Sequence, residues 1–377
     1  MKSLRRYLLL LACSIVTSAA AQERIRFGLA MPLTGAQSAF GKDQVTAASW
    51  AVADINAKGG VAGRQLEMIV LDTQAEPQLG INAVTRLAAV DKVQLIFVGW
   101  SAVVKAVAPI CNREQVLCIS AGANSPDLAK LGDYVFTSFP LADVDVSAVA
   151  RYARQQFGKK TAGVLYINND TGVEAAKVYR SAFEQAGGKV LAYEAYDPKA
   201  TDFTGMLLKL RASNPEIVHV QGLVSDLPQI IGQMRQLGLR QPVSTYSVGY
   251  NPRLVQQLGA AAEGLIVTSL APGTQENPRV APYLARWQTN EKRIPNGLPY
   301  TQYLYDQPYL AAALYAAVAK NKLAATGANL RDMLLAQRNF DLPLTGKIEF
   351  NNSHRVAKPV YLLRVQKGQF EPLATVP

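Results

Sequence analysis

Polar side chains that could act on a small molecule are spread along this chain of 377 residues, but few stand in a catalytic pattern. Residues 35–43 (GAQSAFGKD) approach a phosphate-binding loop. Five residues separate the two glycines, however, and Asp43 stands where a Ser or Thr would hold magnesium. The sequence also lacks the Gly-x-Gly-x-x-Gly motif of dinucleotide-binding folds and the Gly-x-Ser-x-Gly motif of esterases. These features disfavour nucleotide chemistry and a serine nucleophile.

Histidine and cysteine are too sparse for a zinc or haem site, since the chain has only His219, His354 and three cysteines. Asp143 and Asp145 lie two residues apart and could be taken for an acid/base pair. At the start of a predicted helix, such carboxylates are typically solvent-exposed and favoured by the helix dipole. The sequence therefore predicts no catalytic residue, no metal and no cofactor, and we expect a protein that is not an enzyme.

We expect residues 1–21 to be a secretory signal peptide, because Lys2, Arg5 and Arg6 precede an apolar run and a stretch of small residues ends at Ala21. Three of the charges behind the net +11 belong to this leader. The remaining basic residues form no patch interleaved with aromatics, which disfavours a nucleic-acid partner. We expect a periplasmic protein; a lipoprotein anchored at Cys13 is the alternative, because residues 10–13 (LLAC) loosely resemble a lipoprotein box.

Strand-like and helix-like runs alternate from residue 24 onward. Apolar runs at residues 25–30, 65–71 and 94–98 are separated by helical spacing, and the alternation restarts near Val144. Continuously apolar strands separated by helices are typical of a parallel sheet covered on both faces. A pattern of helix, Gly-Gly, strand and Pro occurs twice, which indicates an α/β protein with two similar lobes.

Two cysteines, Cys111 and Cys118, remain after the predicted leader is removed. Their spacing places one at the end of a helix and the other on the next strand. In an oxidising compartment, either a disulfide bond or two buried thiols would fit this arrangement. The sequence leaves both possibilities open.

Several segments resemble the leucine/isoleucine/valine-binding proteins, which are type I periplasmic solute-binding proteins of branched-chain amino acid ABC importers. The segments match this family in order and spacing along essentially the whole mature chain. They are residues 27–35 (FGLAMPLTG), 51–63 (AVADINAKGGVAG), 119–128 (ISAGANSPDL), 234–239 (MRQLGL) and 262–268 (AEGLIVT).

The resemblance implies two doubly wound lobes joined by three crossover strands, with a ligand held between them. Mapped on this chain, the first lobe comprises residues 22–141 and 271–345, and the second comprises residues 142–270 and 355–377. Residues 346–354 would form a hinge crossover. The alternation of elements agrees with this fold, because small ligands bind at the strand ends of open α/β sheets.

In amino-acid binders of this family, a Ser after the third strand and a small-x-Thr segment after the fourth hold the ligand's carboxylate and ammonium groups. Ser101, next to Trp100, keeps the Ser position and opens a helix whose N–H groups favour a carboxylate. Gly122 and Asn124 occupy the small-x-Thr positions, and an Asn side chain can both donate and accept. A plain helix cap for Ser101 and an Asx-turn for Asn124 are the structural alternatives.

The chain departs from the family where an acidic residue would pair with the ligand ammonium. That position falls on Ser247, beside Tyr246, and a buried ammonium without a partner charge would be unfavourable by several kcal/mol. Three Tyr positions of the family are Phe40, Thr171 and Leu223 here, which predicts a more apolar pocket.

Late aromatic residues Tyr300 and Tyr303 lie on or before an Ala-rich helix that runs to Lys320. Packing between helices of the first lobe is one role for them. A position of either tyrosine at the rim of the cleft is the other.

Taken together, the residues and the resemblance predict an extracytoplasmic substrate-binding protein of an ABC importer, monomeric, with a membrane permease and its ATPase as partners. The favoured ligand is an organic or aromatic acid without an α-amino group. A branched-chain or other neutral amino acid, or an amide, is the alternative. A ligand-sensing subunit of a signalling system is a second alternative.

Overall fold

The computed structural model describes residues 24–376. The predicted signal peptide and Cys13 lie outside this range. Within it, the chain forms eleven α-helices. They are α1 (Ser38–Ala57), α2 (Pro77–Ala89), α3 (Ser101–Glu114), α4 (Ala142–Gln155), α5 (Asp170–Gln185), α6 (Thr204–Ser213), α7 (Leu227–Gln236), α8 (Pro252–Leu258), α9 (Val280–Glu291), α10 (Leu298–Lys320) and α11 (Gly327–Gln337). None of these helices is both long and apolar enough to cross a bilayer.

A parallel sheet of five strands forms the centre of the first lobe. Its strands are β1 (Ile25–Met31), β2 (Leu66–Asp72), β3 (Leu95–Val98), β4 (Leu117–Ser120) and β5 (Val135–Thr137). Their spatial order is β2-β1-β3-β4-β5. Every residue of β3 and β4 is buried, as expected for strands that helices cover on both faces.

A sheet of seven strands forms the centre of the second lobe. Its strands are β6 (Thr161–Ile167), β7 (Lys189–Tyr196), β8 (Ile217–Gln221), β9 (Val243–Ser244), β10 (Ile266–Ser269), β14 (Val360–Gln366) and β15 (Gln369–Val376). The order β15-β14-β10-β9-β8-β6-β7 repeats the order of the first sheet in its parallel part and adds an antiparallel pair at one edge. The α/β architecture with two doubly wound lobes is confirmed.

A small antiparallel sheet completes the first lobe, with strands β11 (Asn339–Leu342), β12 (Gly346–Phe350) and β13 (Val356–Ala357). Ile348, Phe350 and Val356 pack in the same apolar cluster as Phe27 and Phe97 of the large first sheet. The chain then enters the second sheet at residue 360. The lobe boundaries given above, with residues 346–354 as a hinge crossover, stay a prediction.

The chain passes between the lobes three times, at residues 138–141, 270–279 and 358–359, which we call the crossings. Buried polar groups on one face of α10 contact the first two crossings directly and are linked to the third through Thr345. At the first crossing, Ser138 Oγ lies 3.2 Å from Gln307 Oε1. At the second, the Tyr303 hydroxyl donates to the Leu270 carbonyl at 2.8 Å.

The third crossing is reached through Asp306, whose carboxylate accepts from the backbone N–H and the hydroxyl of Thr345, both at 2.7 Å. The Lys358 ammonium, inside the crossing, donates to the Thr345 carbonyl. Burial raises the pKa of Asp306 to about 6 and lowers the pKa of Lys358 to about 8. Buried polar groups of this kind are costly to separate, so α10 holds the crossings in place.

Cys111 at the end of α3 and Cys118 on β4 form a disulfide bond, with their Cα atoms 6.1 Å apart. The bond decides between the two possibilities that the spacing left open. It fixes the C-terminal end of α3 to the strand that follows it.

His219 lies on β8 and is completely buried. Its ring stacks on Tyr179 at 4.0 Å, and its nitrogens lie 3.1 Å from Ser244 Oγ and from Gln221 Oε1. Burial lowers the pKa of His219 from 6.5 to about 3. In the unfolded chain this imidazole is protonated below pH 6.5, whereas in the folded chain it stays neutral until about pH 3. The free energy of unfolding therefore decreases as the pH falls from 6.5 to about 3.

We expect His219→Gln to reduce the acid sensitivity of the fold. Between pH 6.5 and 4.5, the variant should lose about 2 to 3 kcal/mol less of its free energy of unfolding than the wild type, because no buried imidazole has to be kept neutral. Urea unfolding at a series of pH values measures this difference. His354→Gln is the matched control, and equal pH slopes for His219→Gln and the wild type would contradict the expectation.

Candidate ligand-binding cleft

A cleft of about 760 Å³ lies between the two lobes, at the carboxyl ends of the parallel strands of both sheets. Loops after β1, β3 and β4 form its first-lobe wall, and loops after β6, β8 and β9 form its second-lobe wall. In parallel sheets of this strand order, the loops at the reversal point leave a crevice, which is where ligands of such folds bind. The repeated order of the strands therefore places two such crevices face to face.

Eight of the nine predicted ligand-binding residues line this cleft. That they contact a ligand stays a prediction. They are Phe40, Trp100, Ser101, Gly122, Asn124, Thr171, Leu223 and Tyr246. The ninth, Ser247, is completely buried and is not part of the lining.

Ser101 and Asn124 form a wall of hydrogen-bond donors. The Ser101 hydroxyl oxygen accepts from the backbone N–H of Ser125 at 3.2 Å, so its own proton remains available to donate. Ser101 is also the first residue of α3, where the initial N–H groups of a helix have no acceptor within the helix. Asn124 is 3% exposed, and its Nδ2 atom has no hydrogen-bond partner in residues 24–376.

Trp100 holds a backbone conformation that is unusual for a bulky residue, with φ at +62°. Its carbonyl accepts from the N–H of Val104 at 2.9 Å, so the strained residue caps α3 directly in the cleft wall. Strain of this kind is concentrated at functional sites, where the surrounding structure enforces it.

Three aromatic rings close the first-lobe side of the cleft. The Phe40 ring lies edge-on to Trp100 at 6.1 Å and to Tyr300 at 5.2 Å, measured between ring centroids. Gly122 has φ at +120°, and a Cβ atom at this position would lie 3.2 Å from the Tyr300 ring. A glycine is therefore required where the β4 loop passes under the ring.

Asp145 corrects our expectation of a solvent-exposed pair at the start of α4. Asp143 is half-buried and pairs with Arg355, but Asp145 is completely buried. Its carboxylate accepts from the Ser247 hydroxyl at 2.8 Å and from the Thr268 hydroxyl. Burial raises the pKa of Asp145, against the opposing effect of these hydrogen bonds.

The Asp145 site reaches the cleft through one further hydroxyl. Ser247 Oγ lies 3.2 Å from the Tyr300 hydroxyl, and Tyr300 lines the cleft from α10. Of the two late tyrosines, Tyr300 therefore lies at the cleft, whereas Tyr303 is completely buried. Because Ser247 belongs to the second lobe and Tyr300 to the first, this contact also joins the lobes behind the cleft.

Gln44 is a cleft residue that sequence reasoning missed. It is 1% exposed, and its Oε1 atom is buried without a hydrogen-bond partner in the described part of the chain. Its position four residues after Phe40 on α1 was the available signal, since residues at this spacing share a helix face.

Charged side chains lie at the mouth of the cleft. Glu76, Asp170 and Lys199 line it and are exposed. Lys105 on α3 lies 3.5 Å from Asp170 on α5, so an ion pair connects the lobes at the mouth. No group of three or more His, Cys, Asp or Glu side chains within residues 24–376 is placed to hold a metal ion.

The sequence is similar to proteins that hold small solutes. A family model described as "Periplasmic binding protein" matches residues 24–369. A leucine-, isoleucine-, valine-, threonine- and alanine-binding protein of Pseudomonas aeruginosa is 27% identical over 252 residues, which are 66% of this chain and 67% of the relative.

Solved structures share the fold. The branched-chain amino acid transporter substrate-binding protein LivJ of Streptococcus pneumoniae, in complex with isoleucine, superposes with a TM-score of 0.83 at 23% identity, covering 94% of this chain and 99% of the other. A solute-binding protein of an ABC transporter of Rhodopseudomonas palustris, in complex with 3,4-dihydroxybenzoic acid, has a TM-score of 0.82 at 20% identity, covering 94% and 97%. Proteins of this fold thus include one in complex with an amino acid and one in complex with an aromatic acid.

We expect Asp145→Asn to gain stability relative to the wild type as the pH rises. Burial raises the pKa of Asp145 above its value of 3.8 in the unfolded chain. The contribution of this carboxyl group to the stability of the wild type is therefore fully present below pH 3.8 and is lost as the pH rises through the folded-state pKa. The amide does not ionise, and both hydroxyl partners can rotate to serve it. Urea unfolding at pH 4 and pH 7 measures the difference.

Asp143→Asn, which removes a carboxylate from the same helix, is the matched control for this measurement. A free energy of unfolding of Asp145→Asn that falls relative to the wild type between pH 4 and pH 7 would contradict the expectation. It would show that the ionised carboxylate is the form that stabilises the fold.

Proposed function

This chain belongs to the periplasmic binding protein family, among the type I proteins of the branched-chain amino acid group, and we propose that it captures an organic or aromatic acid without an α-amino group. Members of this family are solute-binding proteins of ABC transporters. In our proposal, the two lobes close on the acid in the periplasm, and the closed form delivers it to an inner-membrane permease with its ATPase.

The donor wall at Ser101 and Asn124 is the observation that carries this proposal. Ser101 and Asn124 line the same part of the cleft, at the first N–H groups of α3. The Ser101 hydroxyl has a free proton, and the buried amide nitrogen of Asn124 has no partner in the described range. All of these groups donate, and a helix N-terminus adds a positive dipole end. A carboxylate, which only accepts, is the ligand group that complements them.

The cleft offers no free buried carboxylate, within residues 24–376, to pair with an ammonium group. Asp145 is a buried carboxylate that is connected to the cleft through Ser247 and Tyr300, but the hydroxyls of Ser247 and Thr268 bond to it and no part of it is exposed. Glu76 and Asp170 are exposed at the mouth, where water screens their charge. An α-ammonium held in the interior would therefore lose its hydration without gaining a partner charge.

Apolar side chains favour a ligand with a ring or a branched body. Phe40 and Trp100 face Leu223 and Val248 across the cleft. Rings with edge-to-face neighbours offer further aromatic contacts to a planar ligand. The similarity to a solute-binding protein in complex with 3,4-dihydroxybenzoic acid supports the same class of ligand.

A neutral amino acid is the second candidate ligand. The named relative binds leucine, isoleucine, valine, threonine and alanine, and LivJ is in complex with isoleucine. Tyr300 and Ser247 would offer hydroxyl groups toward an ammonium, with Asp145 behind them. A sensing role for the same clamp would be indicated by a neighbouring histidine kinase gene instead of permease and ATPase genes.

Calorimetry with the purified protein tests the ligand class. We expect benzoate-like acids and branched keto acids to bind, and leucine and valine to bind at least about tenfold more weakly, since a buried charge without a partner is unfavourable by more than 1.4 kcal/mol. Ser101→Ala should weaken acid binding by about 10- to 100-fold, the range for a hydrogen bond to a charged group.

Ser181→Ala, on the exposed face of α5, is the matched control and should bind as the wild type does. Tight binding of leucine or valine together with no binding of either kind of acid would overturn the proposed ligand class. It would leave family membership untouched.

We also expect saturating ligand to make the protein more compact in solution. A ligand that touches both walls binds the closed form better and shifts the population toward it. Small-angle scattering should show a smaller radius of gyration with the ligand that calorimetry identifies. An unchanged radius at saturation would contradict capture by lobe closure.

A further inference from the structure

A second cavity of about 370 Å³ adjoins the cleft on the far side of Phe40. Ala36, Gln37, Phe40 and Val224 line both cavities, so the two spaces share a wall made by the start of α1 and the β8 loop. We call this second cavity the side chamber. Arg253 of the second lobe and Asn296 of the first lobe also line it.

Arg253 is an exposed residue, and one hydrogen bond orients its guanidinium at the side chamber. Its Nη1 atom donates to Asn296 Oδ1 at 3.1 Å. Asn296 is itself fixed, because its backbone N–H and its Nδ2 atom donate to the buried Asp43 carboxylate at 2.7 and 2.9 Å. The Asn296 oxygen is thereby directed away from Asp43 and toward the guanidinium.

The charge of Arg253 is not neutralised by an acid. Two arginines that join distant segments have carboxylate partners, since Arg286 pairs with Asp54 and Arg293 pairs with Asp43. Arg211 and Arg338 bond a carbonyl and an amide instead, but neither of them lines a cavity next to the cleft. No carboxylate in the described range lies within ion-pair distance of Arg253, and it uses one of its five N–H groups for Asn296. The other polar groups that line the chamber are amides and one hydroxyl, from Gln37, Asn251, Gln229, Gln257 and Ser225.

A guanidinium that is oriented but has no partner acid is a receptor for an anion. We propose that the side chamber is a second subsite, which takes the distal anionic group of an elongated ligand whose first carboxylate binds at Ser101. This inference rests on the proposed function and narrows it to acids with a negatively charged group at each end. Such a ligand would touch the first lobe at Ser101 and the second lobe at Arg253, and would favour closure.

A purely structural role for Arg253, as a tie between the lobes through Asn296, makes a different prediction. Loss of the tie would change the closure equilibrium and therefore the affinity of every ligand by the same factor. A subsite changes only the affinity of ligands that reach it. Pairs of ligands with equal chain length separate the two roles.

Calorimetry with hexanoate and adipate, and with octanoate and suberate, provides these pairs. In the wild type, we expect the second carboxylate to raise affinity by about tenfold at the chain length that spans the two cavities, as for one hydrogen-bonded charge pair. Arg253→Gln should remove this gain and leave the monocarboxylates within about twofold of the wild type, and Arg253→Lys should retain part of it. Arg151→Gln, an equal change of charge on the exposed face of α4, should leave the gain intact.

Two results would overturn the subsite. One is a second carboxylate that adds no affinity at either chain length in the wild type, and the other is an Arg253→Gln variant that weakens both members of each pair equally. In both cases Ser101→Ala would still weaken the monocarboxylates, and the proposed function would stand. If no carboxylate of either kind bound the wild type, the subsite and the proposed ligand class would fall together.

Discussion

The buried polar face of α10 is the constraint on which the relation between the lobes depends. Gln307 and Tyr303 reach the first and second crossings, and Gln302 adds a bond to the Pro272 carbonyl at the second. Asp306 is linked to the third crossing through Thr345, whose carbonyl accepts from Lys358. A single helix is therefore bonded, directly or through Thr345, to all three connecting segments. Because these groups are buried, a crossing that moved away from α10 would leave donors and acceptors unsatisfied.

The same helix brings the hinge and the cleft together. Tyr300, at the start of α10, stacks on Phe139 of the first crossing at 4.8 Å and lies beside Ser247 of the second lobe. Its ring also forms part of the cleft wall with Phe40. A ligand that displaces the Tyr300 ring would therefore act on the first crossing and on the contact between the lobes at once. Through this connection, a ligand would make different contacts in the open and closed conformations of the lobes. A ligand shifts the population between two conformations only if its contacts differ between them.

Sequence reasoning succeeded where local pattern and topology decide position. Ser101, Asn124 and Leu223, which the family resemblance pointed to, each follow a strand, and the carboxyl ends of parallel strands bring all three to the cleft lining. Their contacts with a ligand stay a prediction. Sequence reasoning failed for Asp145, because a carboxylate in the first turn of a helix normally faces water. What buries Asp145 is the Thr268 hydroxyl, 123 residues away, and Ser247, 102 residues away. Partners at such separations leave no periodic signal in the chain.

The placement of charge, more than its sum, determines what the cleft can hold. The net charge of +11 includes the predicted leader and is spread over the surface, so by itself it indicates little about a ligand. Near the cleft, the acids are largely occupied: Asp145 by hydroxyls, Asp43 by Arg293, and Asp170 by Lys105. Arg253 has no acid beside it in the described range, and the wall at Ser101 presents donors. Glu76 at the mouth is exposed and has no ion-pair partner in the described range. An acid without an ammonium group, the ligand class that we propose, needs no further partner charge in this arrangement.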